Sequence, residues 1–144
     1  MFVAYIAQIA EAVVAALGAG SFSESFTAER AYLPVYELSD LKETRVTVVP
    51  KSVAILSGSR SHNQYDYAID IAVQKKLSRA DNAEIDSLLA LAEEIADFFR
   101  LRRLPGFPEA MWLKTENEPV YSQEHLDQLR QFTGLLTITF RVIR

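Results

Sequence analysis

Residues 65–74 alternate strictly between two kinds of side chain, and this pattern constrains the fold more than any other. One set is apolar or aromatic: Tyr65, Tyr67, Ile69, Ile71 and Val73. The other is polar or small: Asp66, Ala68, Asp70, Ala72 and Gln74. A period of two residues is that of a β-strand, because successive side chains point to opposite faces. The segment therefore predicts a strand of an antiparallel sheet with one covered face.

Four further segments predict strands. The segment 44–49 alternates Val46 and Val48 with polar residues, and the sequence predicts that Pro50 ends it before a short continuation at 53–55. Segments 30–37, 110–114 and 135–143 also have strand character. Pro34 cannot donate a ladder hydrogen bond, so the strand 30–37 is expected at an edge or with a bulge.

Two long helices are predicted at 2–17 and 82–103, and a short one at 123–131. The first has apolar residues at spacings of three and four and ends at a glycine pair. The second begins with Asp81 and Glu84 at capping-box spacing and places Arg100, Arg102 and Arg103 in its predicted last turn. Polar segments at 21–29, 39–43, 57–64 and 114–120 are predicted loops.

The order of these elements predicts an α+β fold in a single domain, residues 1–144. Its expected architecture is a largely antiparallel four- to five-stranded sheet packed by two long helices plus a short helix. A chain of 144 residues can bury a sizeable core without disulfides or metals.

Composition and charge exclude several classes of function. The chain has no cysteine, which rules out disulfides, thiolate zinc sites and a cysteine nucleophile. A net charge of −4 makes sequence-independent DNA binding a poor expectation. No apolar run reaches the length of about 18 residues that a membrane span needs. The first five residues lack the basic start of a signal peptide, so no targeting segment is expected.

No catalytic, cofactor or metal site is predicted. The two histidines, His62 and His125, lie in different segments and have no metal-ligand spacing. Asp66 and Asp70 share a strand face, but they stand about 13 Å apart at the rise of a strand, further than the carboxylate pairs of glycosidases. We therefore expect a protein that is not an enzyme and that uses no cofactor.

The whole chain resembles the tail terminator (tail completion) proteins of long-tailed bacteriophages. The resemblance lies in the N-terminal amphipathic helix, the strand at 66–76 (DYAIDIAVQKK), the capped helix 82–103 and the terminal strand 136–142. Segments 26–34 (FTAERAYLP) and 46–50 (VTVVP) are also similar to prophage morphogenesis proteins.

The resemblance implies a small α+β subunit that forms a hexameric ring on the head-proximal end of the tail tube. Such a ring stops tube polymerisation and joins the tube to the head-tail connector, or stopper, protein. DNA passes through its lumen without specific binding, and the family has no catalytic residues. The implied location is the tail or neck of the virion, after assembly in the host cytoplasm.

Several residues are candidates for the surfaces of such a ring. A ring needs complementary patches on different sides of the subunit. Apolar residues off the main helix stripes, together with the proline edge, are the candidate interface: Val3, Val14, Pro34, Leu91 and Phe98. Polar residues of the predicted loops and their borders are candidates for the lumen or for contacts with stacked rings: Lys42, Arg45, Arg60, His62, Glu116 and Asn117.

Alternatives remain open at this point. A connector or stopper protein on the head side of the neck fits the same features. A small α+β module that binds a ligand or peptide would need a concave apolar pocket. An enzyme acting through carboxylates and His62 or His125 is a third class.

Overall fold

A computed structural model describes residues 3–33, 42–79 and 81–144. Its elements, in chain order, are α1 (Tyr5–Ala19), β1 (Thr27–Arg30), β2 (Arg45–Ser57), β3 (Asn63–Lys76), α2 (Asn82–Phe99), β4 (Arg103–Leu104), β5 (Phe107–Asn117), α3 (Gln123–Leu129) and β6 (Gln131–Ile143).

The six strands form one mixed, curled sheet in the order β1-β2-β3-β6-β5-β4. The strand β1 runs parallel to β2, and every other pairing is antiparallel. The predicted architecture, a largely antiparallel sheet of four or five strands packed by two long helices, is therefore wrong. Strands contain more residues than helices, because β2, β3, β5 and β6 continue through segments without apolar alternation. Backbone hydrogen bonds extend a strand whatever its side chains, and side-chain patterns miss such extensions.

The strand predicted at 30–37 lies only partly within the described residues. The structure has β1 at Thr27–Arg30, so three of its residues fall in the segment predicted to be a loop and Arg30 is the first residue of the predicted strand. Its four residues pair with residues 45–48 of β2. These backbone hydrogen bonds form a strand that the polar sequence alone does not predict. Pro34 lies outside the described residues.

Proline does not end β2. The register between β2 and β3 shifts between Pro50 and Ser52, and the strand continues to Ser57. This bulge at Lys51 places an extra residue in β2. Bulges increase the local twist of a strand, which accords with a curled sheet.

The second helix ends earlier than predicted. Helix α2 stops at Phe99 because Leu101 adopts a positive φ of 59°, which a helix cannot contain. The arginines 100, 102 and 103 therefore lie beyond the helix, and Arg103 begins β4. None of the helices in the described part of the chain is long and apolar enough to cross a membrane.

The core lies between one face of the sheet and the helices α1 and α2. The sheet contributes Ile69, Ile71, Ile138 and Phe140, all buried. The helices contribute buried apolar residues at helical spacing: Ile9, Val13 and Leu17 from α1, and Leu88, Leu91, Ile95 and Phe99 from α2. This face of the sheet is called the core face below.

A buried carboxylate fixes the turn between β3 and α2. Asp81 caps α2 by accepting a hydrogen bond from the Glu84 N–H at 2.9 Å, as the capping-box spacing predicts. The Glu84 carboxylate turns back to accept hydrogen bonds from the Ser78 N–H, the Ser78 hydroxyl and the Arg79 N–H. Lys75 lies 3.6 Å from it. Glu84 thus supplies acceptors for turn donors that would otherwise go unmatched.

Replacing Glu84 by alanine removes these acceptors, and we expect the Glu84→Ala variant to lose about 1–3 kcal/mol of unfolding free energy. Urea denaturation followed by circular dichroism measures this loss. The control Glu93→Ala changes an exposed carboxylate on the same helix and should stay within about 0.5 kcal/mol of the unaltered protein. Equal losses in the two variants would contradict a structural role for Glu84.

Candidate functional site

The outer half of β2 extends beyond its neighbour β1. Pairing between the two strands ends at Arg30 and Val48, whereas β2 continues for nine more residues to Ser57. We call residues 50–57 the β2 arm. It carries exposed apolar side chains, with Val53 42%, Ile55 59% and Leu56 54% accessible. Within the described ranges no strand pairs with its outer edge.

Backbone geometry shows which groups of the β2 arm point outward. Thr44 and Val48 direct their carbonyls outward and accept hydrogen bonds from Thr27 and Ala31. The bulge at Lys51 reverses the alternation, so Val53 and Ile55 present their N–H and carbonyl groups on the outer edge. Their side chains lie on the core face, beside Tyr67 and Tyr65 of β3. The arm therefore offers unpaired backbone and apolar side chains together.

A second free edge lies on the opposite side of the sheet. The edge strand β4 has two residues, and β5 continues past it to Asn117. Trp112 donates its N–H outward to the Arg102 carbonyl, and a bulge at Leu113 then shifts the register. Thr115 and Asn117 consequently point their backbone groups outward, where the described residues provide no strand partner.

The face of the sheet opposite the core carries three ion pairs near the middle of the molecule. Arg141 donates two hydrogen bonds to Asp66, at 2.8 and 3.1 Å. Asp70 accepts a hydrogen bond from the Thr137 hydroxyl and lies 3.8 Å from Lys51. We call this surface the polar face.

The third ion pair joins Lys114 to Glu116 at 3.2 Å on β5. A shallow groove of about 440 Å³ runs between these pairs. The hydrogen bonds to Asp66 raise the pKa of Arg141 above its ordinary value, so its guanidinium stays charged at any physiological pH. The charges of these six residues cancel, so the three ion pairs together add no net charge to the polar face.

An aromatic sandwich holds the end of β6 against the body. The Arg144 guanidinium lies 4.0 Å from the ring centre of Tyr5 and 4.1 Å from that of Tyr65. The Arg144 and Asn63 backbones exchange two hydrogen bonds. Since Tyr65 pairs with Ile55 across the strands, this cation–π contact braces the outer end of the β2 arm.

The predicted interface residues that the structure describes differ in their burial. Val3 is exposed beside α1, with 52% of its surface accessible. Val14 is half-buried, and Phe98 is half-buried between Phe22 and Phe99. Leu91 is completely buried in the core and has no surface to offer a neighbour.

The predicted lumen residues lie at separate places. Lys42 and Arg45 are at the start of β2, whereas Arg60 and His62 are at the tip of the β2–β3 hairpin. The 13 residues of β2 separate these two groups by roughly 40 Å. Glu116 and Asn117 lie in β5 and not in the loop predicted at 114–120. The Asn117 side-chain oxygen is buried and has no hydrogen-bond partner among the described residues.

The histidines are also apart. His62 is exposed next to Ser61, and His125 lies 2.8 Å from the Thr133 hydroxyl. Across residues 3–33, 42–79 and 81–144, no three His, Asp or Glu side chains are close enough together to hold a metal ion.

A groove of about 600 Å³ lies between α3 and the start of α2. Ile85, Tyr121 and Leu126 give it an apolar floor, and exposed polar residues of α3 form its rim. This is the surface that the ligand- or peptide-binding alternative would use.

The sequence prediction missed the free edges. It identified residues 53–55 as a short strand but attached no function to them. The signal was present, because Val53 and Ile55 share one strand face while hydrophilic residues follow at 57–64. This signal could not be interpreted until the structure showed that no described strand pairs with the outer edge of residues 53–55.

No protein-family model and no curated protein matches the chain. Its fold is similar to that of a solved structure described as "Virion of native gene transfer agent (GTA) particle". The two chains share 16% identity with a TM-score of 0.56, and the alignment covers 98% of this chain and 96% of the other. The similarity is therefore one of the whole fold.

The burial of Leu91 leads to a prediction that separates core from surface. Leu91→Ala should lower the unfolding free energy by about 2–5 kcal/mol, because it opens a cavity between α2 and the sheet. Val3→Ala, at an exposed position, should change it by less than about 0.5 kcal/mol. Chemical denaturation measures both. A Leu91→Ala variant as stable as Val3→Ala would contradict the packing described here.

Proposed function

We propose that this protein is a structural subunit of a phage-like particle, and that it forms a ring at the head-proximal end of the tail tube. The observation that carries the proposal is the similarity of its whole fold to a chain of a gene transfer agent virion. The family resemblance of the sequence supports the finer position in the tail, where the ring would stop tube growth and join the head connector.

The surfaces of the subunit support an assembly role. Among the described residues, two strand edges without a partner strand lie on opposite sides of one sheet, and the β2 arm carries exposed apolar residues. Patches on opposite sides of a subunit can join head to tail and close into a ring. We propose no catalytic role, since the ionisable groups of the polar face are engaged with each other in ion pairs.

The solution mass of the protein tests this proposal. Size-exclusion chromatography with light scattering across concentration, with and without tail-tube protein from the same source, should reveal a closed oligomer, which the resemblance predicts to be a hexamer. Formation of that oligomer only on tubes would equally support the proposal. Negative-stain microscopy should then place the protein at one end of each tube.

A protein that stays monomeric at all concentrations and ignores tubes would overturn the proposal. Rings that bind a head connector but no tube would overturn the tail position and favour a stopper on the head side of the neck.

The three ion pairs of the polar face lead to a prediction about DNA binding. The unaltered protein should not retard duplex DNA at 150 mM salt. This concentration lies within about 50–200 mM, the range over which affinity that depends on phosphate contacts falls steeply. A variant with Asp66→Asn, Asp70→Asn and Glu116→Gln leaves three cations unmatched on this face. Its DNA affinity should appear at low salt and fall with a logarithmic slope of about −2.7 per subunit.

A matched control neutralises three exposed carboxylates of α2, in Asp86→Asn, Glu93→Gln and Asp97→Asn. It changes the net charge equally but leaves the polar face unaltered. Equal DNA binding by both variants would show that total charge matters and not this face.

A further inference from the structure

We propose that the outer edge of the β2 arm pairs with the outer edge of β5 in a second copy of this chain, so that the sheet continues from subunit to subunit. The inference deepens the proposed ring and rests on it in requiring self-assembly. It specifies which strands meet, in which direction and in which register.

Strand direction makes the two edges compatible. From β2 through β3 and β6 to β5, every pairing is antiparallel, so β2 and β5 run in opposite directions at the two sides of the sheet. A second copy in the same orientation places its β5 antiparallel to β2 of the first. The same arrangement sets core face beside core face and polar face beside polar face.

Backbone alternation limits the possible registers, because only residues that direct their hydrogen-bonding groups outward can form a hydrogen-bonded pair. Val53 and Ile55 present outward hydrogen-bonding groups on one edge, and Thr115 and Asn117 do so on the other. All four side chains lie on the core face, so they can form hydrogen-bonded pairs without inverting a strand. Of the registers that this alternation allows, one pairs both residues of each edge: Ile55 lies opposite Thr115 of the second copy, and Val53 lies opposite Asn117 of the second copy.

The side chains fit this register on both faces. On the core face, Val53 and Ile55 reach the surface where Trp112 of the second copy packs beside Thr115, to which its indole N–H donates at 2.8 Å. On the polar face, Ala54 and Leu56 lie opposite Glu116 and Lys114 of the second copy. No like charges meet, so the pairing incurs no repulsion between opposed strands.

The curl of the sheet points to closure. A flat sheet extended in this way would give a fibre, because a head-to-tail contact without rotation does not close. Because the sheet of each subunit is curled, each added subunit is rotated relative to the one before it. A sheet that closes on itself in this way leaves no free edge.

Disulfide cross-linking tests the register, since the chain has no cysteine of its own. The double variant Ala54→Cys with Glu116→Cys places thiols in a non-hydrogen-bonded pair, whose Cα separation of about 4.5 Å suits a disulfide. Within one subunit these positions are separated by three strand spacings, about 14 Å, and by a further four residues, about 13 Å, along the strands, too far to bond. Oxidation should give a ladder of covalent multimers that ends at the size of the ring.

A control pair keeps Ala54→Cys and moves the second thiol to the exposed helix position in Ala90→Cys. It should give no ladder beyond the dimer.

Two substitutions at Ile55 test the backbone pairing itself. Ile55→Pro removes an outward N–H but no bond to β3, so the fold should survive while assembly falls at least tenfold. Ile55→Lys should do the same by placing a charge at the edge. The control Leu129→Lys alters an exposed apolar site on α3, which is part of neither edge, and should assemble normally.

The outcomes separate the two proposals. Rings that form without the Ala54–Glu116 cross-link and tolerate Ile55→Pro overturn the edge pairing and leave the ring standing. A ladder that never ends in a closed species supports the pairing and overturns the ring. Failure of the unaltered protein to self-assemble, alone or on tubes, overturns both.

Discussion

Strand pairing along β3 is the interaction on which the rest of the structure depends. Nearly the full length of β3 is hydrogen-bonded to β2 on one side and to β6 on the other. These two ladders hold the core face together, and the ladder between β2 and β3 continues along the β2 arm. Because β1 and β4 are so short, long stretches of the outer edges of β2 and β5 have no partner strand among the described residues.

Helices cover only part of the core face, so one part of this face is buried core and another part is exposed. Near the middle of β3, Ile69 and Ile71 are sealed under the helices. Towards the hairpin tip, the same face carries Val53 and Ile55 exposed. An edge strand with apolar residues is a hazard for a protein that works alone, and proteins usually cover or charge such strands. It is an asset for a protein whose product is an assembly.

Prediction from the sequence succeeded where a side-chain pattern and a backbone element coincide. The strand at 65–74, the terminal strand, the N-terminal helix and the cap at Asp81 all lie where their patterns indicate. It failed where the backbone follows tertiary hydrogen bonds. The strand β1 occupies a polar segment, β2 continues through a proline by means of a bulge, and α2 ends at a left-handed leucine.

In the candidate site, too, the sequence predicted local side-chain directions but not contacts between distant residues. Alternation marked Asp66 and Asp70 as residues of a polar strand face, but their partners Arg141, Thr137 and Lys51 come from three places in the chain. Leu91 illustrates the opposite case, because an apolar residue off the main helix stripe is equally compatible with an interface and with a core.

The sequence by itself determined the faces of the strands and helices, since the spacing of apolar residues sets the direction of each side chain along one element. Only the tertiary structure decided which strand edges have no partner among the described residues, that β1 is parallel, and that six charges of the polar face form ion pairs. These properties depend on neighbours distant in the sequence, and local spacing carries no information about them.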